Sequence, residues 1–410
     1  MNSFRRYLPF ALILAAAFAA RVGAAVWWQT RIPAEARFAF GDSESYWTLA
    51  RAIARGEPYL YSDAVMFRTP GYPLLLAPLF AFGNEPSVFA ARMVSVVCGT
   101  ATVAAVMWLT RMNFGSPADL IAGGIAAVFP EAIAASVFVL SEAPFGLVMV
   151  LQLIATVAAI QANQSVRGGG WGLLAGVLAG IGTLVRPSWL LFTPFAIAWQ
   201  LIFSQDRRLA LRLGAMQMIG LCLVLSPWWM RNYSLAGRFV ATSSEVGASL
   251  YDGLSAKADG SSEMSFKPTP PPTEPGTPLD VVARRELARD DQWKSASLAW
   301  AKDHPARVAE LAAIKFLRMW NVWPNAAEFR SVTLRLIIAG TYVPLIGLAL
   351  FGLIRFRSQP PVRVLAIPAL YFTLLHMVFV SSIRYRLPPL LPLVAVAAAG
   401  LCVLFPPRRS

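Results

Sequence analysis

Two acidic side chains, Asp42 and Glu44, stand in the loop that follows the first long apolar run, within Phe40-Gly-Asp-Ser-Glu-Ser-Tyr46. A carboxylate beside a hydrophobic slab is a candidate general base, because it can accept a proton from a reacting group. The residues that follow are apolar at helical spacing, at Tyr46, Leu49, Ala50 and Ile53. This spacing predicts a short amphipathic helix along a membrane surface, which would hold Asp42 at the membrane edge.

Asp42 could also have a purely structural role. An aspartate at the start of a helix accepts hydrogen bonds from the free N–H groups of the first turn, and such an N-cap contributes about 1 kcal/mol. Gly56, followed by Pro58, is a typical end for the same helix. The pattern therefore predicts where the helix lies, but it leaves open whether Asp42 is a base or a cap.

Four arginines stand at the ends of later apolar runs, at Arg186, Arg231, Arg384 and Arg386. A single arginine in such a position is most often an anchor whose charge reaches out of the membrane. Several of them on one face favour a second interpretation, because the planar guanidinium group binds phosphate oxygens in pairs. Glu142, at the start of another apolar run, is a candidate partner for one of these arginines.

The composition is that of a membrane protein: 57% of the 410 residues are hydrophobic, 14% are charged, and the mean hydropathy is +0.55. The net charge of +14 does not indicate nucleic acid, because no basic stretch is separable from an apolar run. Cys98, Cys222 and Cys402 stand far apart within apolar runs, so we predict no disulfide. His304 and His376 lack paired-ligand spacing, which disfavours a histidine metal site.

Apolar runs recur along the chain and predict an all-α, polytopic bundle of about ten transmembrane helices. The predicted spans are Tyr7–Trp28, Val88–Leu109, Leu120–Val139, Ala143–Ile160, Trp171–Leu184, Trp189–Phe203, Leu213–Trp229, Leu334–Ile354, Val364–Val380 and Leu387–Leu404. The Pro70–Phe82 stretch is too short to cross a membrane and predicts a juxtamembrane helix in the first outer loop.

The positive charges orient these spans. Arg5 and Arg6 place the N-terminus in the cytoplasm. Alternation then places most of the arginine clusters inside as well, at Arg111, Arg167, Arg207-Arg208, Arg355–Arg363 and Arg408-Arg409. The same alternation places a second set of charges outside, at Asp42, Glu131, Glu142, Arg186, Arg231, Arg384 and Arg386. Charges at membrane ends are costly unless they pair or bind something, so this convergence predicts a site on the outer face.

The chain divides into three parts: an N-terminal transmembrane module, 1–233, whose first outer loop is 29–87; a long outer loop, 234–330; and C-terminal transmembrane helices, 331–410. In the long loop, Leu279–Trp300 and Ala306–Trp320 are predicted helices, the second with Pro305 in its first turn. The proline-rich stretch Pro268–Pro278 is predicted to be irregular and mobile. We expect this loop to close over the site or to present an acceptor.

Six motifs follow one another over nearly the whole chain: Gly41-Asp42-x-x-x-Tyr46, Arg68-Thr-Pro-Gly-Tyr-Pro73, Leu140-Ser-Glu142, Leu184-Val-Arg-Pro187, Pro227-Trp-Trp-Met-Arg-Asn-Tyr233 and Arg384-Tyr-Arg-Leu-Pro388. The ordered set resembles bacterial integral-membrane glycosyltransferases of the GT-C superfamily. It resembles the family 39-like branch that includes protein O-mannosyltransferases and the aminoarabinose transferase of lipid A. Many relatives carry an adjacent acidic pair in the first outer loop, whereas Ser43 separates Asp42 from Glu44 here.

The resemblance implies a polyprenyl-phosphate-linked sugar as donor, and a hexosyl- or pentosyltransferase in a bacterial inner (plasma) membrane. Its active site would face the periplasm or the exterior, and the acceptor would be a lipid, a glycan or a protein. Asp42 would be the catalytic base of an inverting displacement, with Glu44 and Glu142 as candidate acidic partners. The expected phosphate-binding residues are Arg186, Arg231, Arg384 and Arg386, and the expected groove residues are Tyr46, Arg68, Tyr72 and Tyr385. The reaction requires no cofactor or metal, although Asp42 with Glu44 or Glu142 could hold a divalent cation.

Two other classes of function stay open. A transporter or flippase of lipid-linked saccharides would place ionisable groups at mid-bilayer and commonly shows inverted repeats. The sequence shows no such repeat, and its charges collect at one face. A polymerase or ligase of lipid-linked saccharides is closer, and differs mainly in using a pyrophosphate-linked donor.

Overall fold

The computed structural model describes residues 2–32, 36–38, 40–81, 83, 85–162, 165–266, 274, 276–324 and 331–406, with side chains of the first helix from Tyr7 onward. These residues form an all-α fold, as predicted. Its helices are α1 (Asn2–Gln29), α2 (Gly41–Arg55), α3 (Gly71–Leu76), α4 (Val88–Phe114), α5 (Ala118–Val128), α6 (Pro130–Val137), α7 (Glu142–Gln161), α8 (Val166–Val185), α9 (Phe192–Phe203), α10 (Arg207–Ala236), α11 (Val246–Gly253), α12 (Leu279–Asp303), α13 (Pro305–Met319), α14 (Val332–Arg355), α15 (Pro360–Val378) and α16 (Leu387–Leu404).

Eight of the described helices are long and apolar enough to cross a membrane: α1, α4, α7, α8, α10, α14, α15, and α16 with the short turn before it. α5 and α6 form a pair bent by 55° that would count as a ninth. α9 has only 12 residues, so the predicted span Trp189–Phe203 is shorter than expected. The chain is a multi-pass membrane protein. Its described residues contain eight or nine helices long and apolar enough to span a membrane, where the sequence predicted about ten.

The ends of these helices lie at two opposite ends of the bundle. The end that carries Asp42 and Glu142, named the site end, contains the start of α2, the start of α7, the end of α8 and the start of α16. The opposite end is named the far end. At the far end, Arg363 donates to the carbonyl of Phe203 at 3.3 Å, and the side chain of Gln161 donates to the carbonyl of Met112 at 3.2 Å. α9 ends at the far end although it is short, so the chain still changes ends between α8 and α10.

The amphipathic helix predicted in the first outer loop is present as α2. Tyr46 and Ala50 are buried, and Gly56 ends the helix in the left-handed conformation with φ 66°. Phe40 is the N-cap residue, and no side chain caps the first turn. The interpretation of Asp42 as an N-cap is therefore wrong, and its carboxylate is available to other partners.

A buried arginine in α1 holds the bend between α5 and α6. Arg21 is 1% exposed, and its guanidinium group donates to the carbonyls of Ala126 and Ala127, each at 3.1 Å. Because Pro130 has no N–H, the helical ladder breaks at this point and carbonyls near the end of α5 lose their partners. Arg21 replaces those partners and so stabilises the new direction of α6. The sequence pattern did not predict this role of Arg21.

The long outer loop contains α11, α12 and α13. The helices predicted at Leu279–Trp300 and Ala306–Trp320 are confirmed as α12 and α13, with Pro305 in the first turn of α13. Most of the Pro268–Pro278 stretch lies outside the described residues, so its predicted irregularity stays a prediction.

α3 packs against the end of α8 at a distance that only glycine allows. A Cβ at Gly71 would lie 2.5 Å from the carbonyl carbon of Leu184 and 2.6 Å from the nitrogen of Val185. This approach brings the segment after Arg68 against the turn before Arg186. Two motifs that are far apart in the sequence therefore share a backbone contact.

Gly71→Ala should destabilise the protein by about 1–3 kcal/mol, because the added methyl group meets backbone atoms that cannot rotate away. The measurement is the melting temperature of the purified protein in detergent. Gly170 in α8 is the matched control: no atom lies within 4 Å of its Cβ position, so Gly170→Ala should leave the melting temperature unchanged or raise it. A Gly71→Ala protein that melts like the wild type would show that α3 can move away from α8 without loss.

Candidate active site

Asp42 lies between two guanidinium groups at the site end. Its side chain is 41% exposed, and its Oδ1 lies 2.6 Å from Nη2 of Arg68. Its Oδ2 lies 3.5 Å from Nη2 of Arg384. Arg68 belongs to the segment between α2 and α3, and Arg384 belongs to the short 3₁₀ segment Ile383–Arg386 that precedes α16. Three parts of the chain therefore meet at one carboxylate.

Glu142 extends this arrangement into the bundle. It is the first residue of α7 and its side chain is 2% exposed. Its Oε1 lies 2.7 Å from Nε of Arg384 and 3.2 Å from Nη1 of Arg186. Arg384 thus bridges the two carboxylates. We name the series Arg68, Asp42, Arg384, Glu142 and Arg186 the ion-pair chain.

The ion-pair chain carries one net positive charge, because three guanidinium groups meet two carboxylates. Burial raises the pKa of Asp42, but the charges and hydrogen bonds of Arg68 and Arg384 outweigh burial, so the pKa lies below its usual range. Asp42 is therefore ionised at neutral pH. The site holds an ionised carboxylate beside guanidinium groups, which can bind anions.

Aromatic rings lie against two guanidinium groups of the ion-pair chain. The guanidinium carbon of Arg186 lies 5.3 Å from the ring centre of Tyr385, and that of Arg68 lies 5.2 Å from the ring centre of Tyr46. Tyr385 stacks in turn on His376, with ring centres 4.2 Å apart and an interplanar angle of 5°. The sequence did not associate His376 with the site, because the stack forms only when α15 folds back on the segment before α16.

Arg231 and Arg386, both predicted to bind a donor phosphate, form hydrogen bonds or ion pairs with other parts of the protein. Arg231 donates to the carbonyls of Val65 at 2.9 Å and Tyr59 at 3.4 Å, and so holds the first outer loop. Arg386 is fully buried and forms a two-point ion pair with Glu131, in which Nε lies 3.2 Å from Oε2. Because their donors face these partners, the structure does not place them in the ion-pair chain. We omit both from the proposed phosphate site.

Two further predicted site residues, Tyr72 and Glu44, are not members of the ion-pair chain. Tyr72 is fully buried beneath Tyr46, with ring centres 4.9 Å apart, and its hydroxyl lies 3.5 Å from that of Ser95. Tyr72 therefore supports Tyr46 instead of lining an open groove. Glu44 is partly exposed on α2, and it does not contribute to the ion-pair chain.

The residues at the site do not suit a divalent cation. Within the described parts of the chain, no group of three or more His, Cys, Asp and Glu side chains could hold a metal ion. Asp42 and Glu142 each face two guanidinium groups, whose positive charges would repel a cation. The chemistry proposed below therefore uses these side chains alone.

Comparisons with known proteins show what the chain is similar to. Residues 68–230 match the family model of the dolichyl-phosphate-mannose-protein mannosyltransferases. No curated protein sequence matches the chain. The oligosaccharyltransferase AglB from Archaeoglobus fulgidus, solved with an inhibitory peptide and a dolichol-phosphate, has a similar structure: the TM-score is 0.64, with 13% identity over 98% of this chain and 51% of that one. ArnT from Cupriavidus metallidurans in the apo state gives a TM-score of 0.46, with 14% identity over 98% of this chain and 78% of that one.

These findings identify the fold and a family match over part of the chain. The matched segment begins at Arg68 and contains Glu142 and Arg186, whereas Asp42 and Arg384 lie outside it. The fold is that of a GT-C glycosyltransferase, so the resemblance predicted from the six motifs is confirmed. The chain spans about half the length of the archaeal oligosaccharyltransferase.

Neutralising Glu142 alone should destabilise the protein more than neutralising it together with one of its partners. Glu142→Gln leaves Arg186 and Arg384 without their shared carboxylate, at a cost of roughly 3–5 kcal/mol. The double variant Glu142→Gln/Arg186→Gln restores the net charge, so its melting temperature should exceed that of Glu142→Gln. Asp280→Asn is the control, because its ion pair with Arg284 is exposed on α12 and should contribute little. Losses that simply add in the double variant would contradict this electrostatic account.

Proposed function

We propose that the protein is a glycosyltransferase that moves one sugar from a polyprenyl-phosphate-linked donor to an acceptor at the extracytoplasmic membrane face. The observation that carries the proposal is an ionised Asp42 between two guanidinium groups at one end of a GT-C-like bundle. The bundle end supplies a proton acceptor and anion-binding groups in one place. A bacterial inner membrane, with the site facing the periplasm or the exterior, is the location that fits the positions of the charges.

The chemistry is a single displacement at the anomeric carbon. The acceptor oxygen or nitrogen attacks this carbon while Asp42 takes its proton. The bond between the anomeric carbon and the phosphate oxygen breaks, and the polyprenyl phosphate leaves with the electron pair without needing a proton. Arg384 and Arg186 would stabilise the charge that develops on this phosphate. Attack from the face opposite the leaving group inverts the configuration of the sugar.

The charge of the ion-pair chain favours a monophosphate over a pyrophosphate donor. Its one net positive charge matches the one negative charge of a phosphodiester, so binding leaves the site neutral. A pyrophosphate would leave excess negative charge at the edge of an apolar bundle, which is costly. This comparison supports the transferase over a pyrophosphate-dependent polymerase or ligase.

The distribution of charges also favours an enzyme over a transporter. The five members of the ion-pair chain lie at one end of the bundle, whereas a transporter places its substrate site near the bilayer midplane. Arg21, which lies within a membrane-spanning helix, is committed to the carbonyls of Ala126 and Ala127. It therefore stabilises the fold rather than a path for a substrate.

Asp42→Asn should abolish sugar transfer while leaving donor binding and the melting temperature largely intact, because the amide keeps the shape but cannot accept the proton. The loss expected for removing a general base is about 10²–10⁴-fold. The assay is transfer from a polyprenyl-phosphate sugar, and Glu57→Gln is the matched control because Glu57 is an exposed acid just beyond α2. Near-wild-type turnover of Asp42→Asn would refute the role of Asp42 as base.

Arg186→Gln and Arg384→Gln should each weaken binding of the donor roughly 10–100-fold, since a hydrogen bond to a charged group contributes about 1.5–3 kcal/mol. Arg357→Gln at the far end is the control and should bind like the wild type. Binding can be followed with undecaprenyl phosphate, and mass spectrometry of the lipid that copurifies should show a polyprenyl monophosphate. Equal losses at both ends would indicate that these arginines only anchor or fold the protein.

A further inference from the structure

The backbone of the dipeptide Val65-Met66 is fully paired with other parts of the chain. The N–H of Val65 donates to Oε2 of Glu286 at 2.8 Å, and the N–H of Met66 donates to the same oxygen at 3.1 Å. The carbonyl of Val65 accepts from Nη1 of Arg231 at 2.9 Å, and the carbonyl of Met66 accepts from the N–H of Ser244 at 3.1 Å. All four polar groups of the dipeptide are thus held by α10, α12 and the segment between them.

This dipeptide lies just before Arg68 and determines where that side chain starts. Both of its residues are fully buried and pack against Val282 and Ala283 of α12. On the other side, the carbonyl of Arg68 accepts from the hydroxyl of Tyr59 at 3.1 Å. Because the backbone is held before and at Arg68, its guanidinium group reaches Asp42 from a fixed point.

Glu286 is central to this arrangement. It is 5% exposed, and besides the two N–H groups it accepts the hydroxyl of Ser244. Removing the carboxylate would leave three buried donors without an acceptor, and each unsatisfied donor is costly. Glu286 makes no contact with Asp42 or with the arginines of the ion-pair chain in the described structure. Any effect on the site must therefore pass through the dipeptide.

The segment that carries Arg384 is held by the same outer loop. Lys315 of α13 is fully buried, and its Nζ donates to the carbonyls of Val378 at 2.7 Å and Gly253 at 2.8 Å. The hydroxyl of Ser381 donates to the carbonyl of Lys315 at 2.7 Å. These contacts tie the end of α15, which leads to Arg384, to α11 and α13.

We propose that the long outer loop positions the two guanidinium groups on either side of Asp42, with Glu286 acting on Arg68 and Lys315 acting on Arg384. The proposal rests on the function proposed above for this site. Both are positioning residues, since neither belongs to the ion-pair chain. The loop, expected from the sequence to be a lid or an acceptor-docking element, would then also set the geometry of the donor site.

A purely architectural role is the alternative, because any satisfied buried network stabilises a fold. The two roles differ in coupling. A positioning residue acts through one arginine, so its loss has little further effect once that arginine is gone. A residue that only supports the fold lowers stability independently of either arginine, and its effect adds to theirs.

The test is a set of double-mutant cycles with the rate of sugar transfer as the readout, because Arg68 contacts the proposed base Asp42. Glu286→Leu should lower transfer about tenfold, whereas Glu286→Gln, which keeps an acceptor oxygen, should retain most of it. Glu286→Leu should have no further effect in an Arg68→Gln background and its full effect in an Arg384→Gln background. Lys315→Met should show the reverse pattern.

Asp290 provides a matched control on the same helix. Its Oδ1 accepts the N–H groups of Gly247 at 2.7 Å and Ala248 at 3.2 Å, in a segment that carries no arginine of the site. Asp290→Asn should lower the melting temperature and leave the rate of sugar transfer unchanged. If Glu286→Leu does not fold, Ser244→Ala removes one donor to Glu286 and should show a smaller loss with the same dependence on Arg68. Effects that add in every cycle would overturn the positioning role.

Failure of the proposed function would look different. If the wild type bound no undecaprenyl phosphate, or if Asp42→Asn kept full transfer, the proposed reaction would be wrong. The positioning role would then be decided by melting temperature alone. Coupling between Asp42→Asn and Arg68→Gln should be present with Glu286 in place and lost in Glu286→Leu. Coupling that survives in Glu286→Leu would overturn the positioning role by itself.

Discussion

The structure depends on the pairing of opposite charges at the edge of an apolar bundle. Arg384 is central to this pairing because it contacts two carboxylates. Its guanidinium group lies 3.5 Å from Asp42 and 2.7 Å from the nearly buried Glu142. Leaving the buried carboxylate of Glu142 unpaired would cost several kcal/mol, so the start of α7 and the segment before α16 must meet in a geometry that pairs it with Arg384. The close approach at Gly71 and the bend held by Arg21 are two conditions under which the bundle reaches that geometry.

Exposure separates the charges that could serve a ligand from those that hold the fold. Asp42 and Arg384 are 41% and 36% exposed, so a ligand can reach them from the site end. Arg386 is fully buried with Glu131, and Arg21 is enclosed with the carbonyls that it caps. These enclosed groups have no surface to offer a substrate. The charges therefore form an exposed group, Asp42 and Arg384, and a buried group, Arg386 and Arg21. Only the exposed group can exchange its partners for a ligand.

Local patterns in the sequence predicted local structure well. The positions of α2, α12 and α13, the end of α2 at Gly56 and the juxtamembrane α3 all follow from residues within one or two turns of one another. The roles of the arginines did not follow in this way. Arg186 and Arg386 look alike in sequence, since each stands at the end of an apolar run, yet Arg386 pairs with Glu131, 255 residues away. Which carboxylate pairs with an arginine at such a sequence separation depends on the packed fold. The sequence pattern alone therefore predicted the same role for both arginines.

The ion pairs of Arg384 with Asp42 and Glu142 occupy the guanidinium group that a donor phosphate would need. In the proposed reaction the phosphate must compete with Asp42 and Glu142 for Arg384. While Arg384 and Arg68 face Asp42, they hold its pKa below the usual range, and a carboxylate of low pKa is a weak base. In the proposed reaction, a phosphate that draws Arg384 away would remove one of these causes, so the base strength of Asp42 would rise when the donor is in place. The same guanidinium group would thus bind the leaving group and release the base, which makes proton transfer dependent on donor binding.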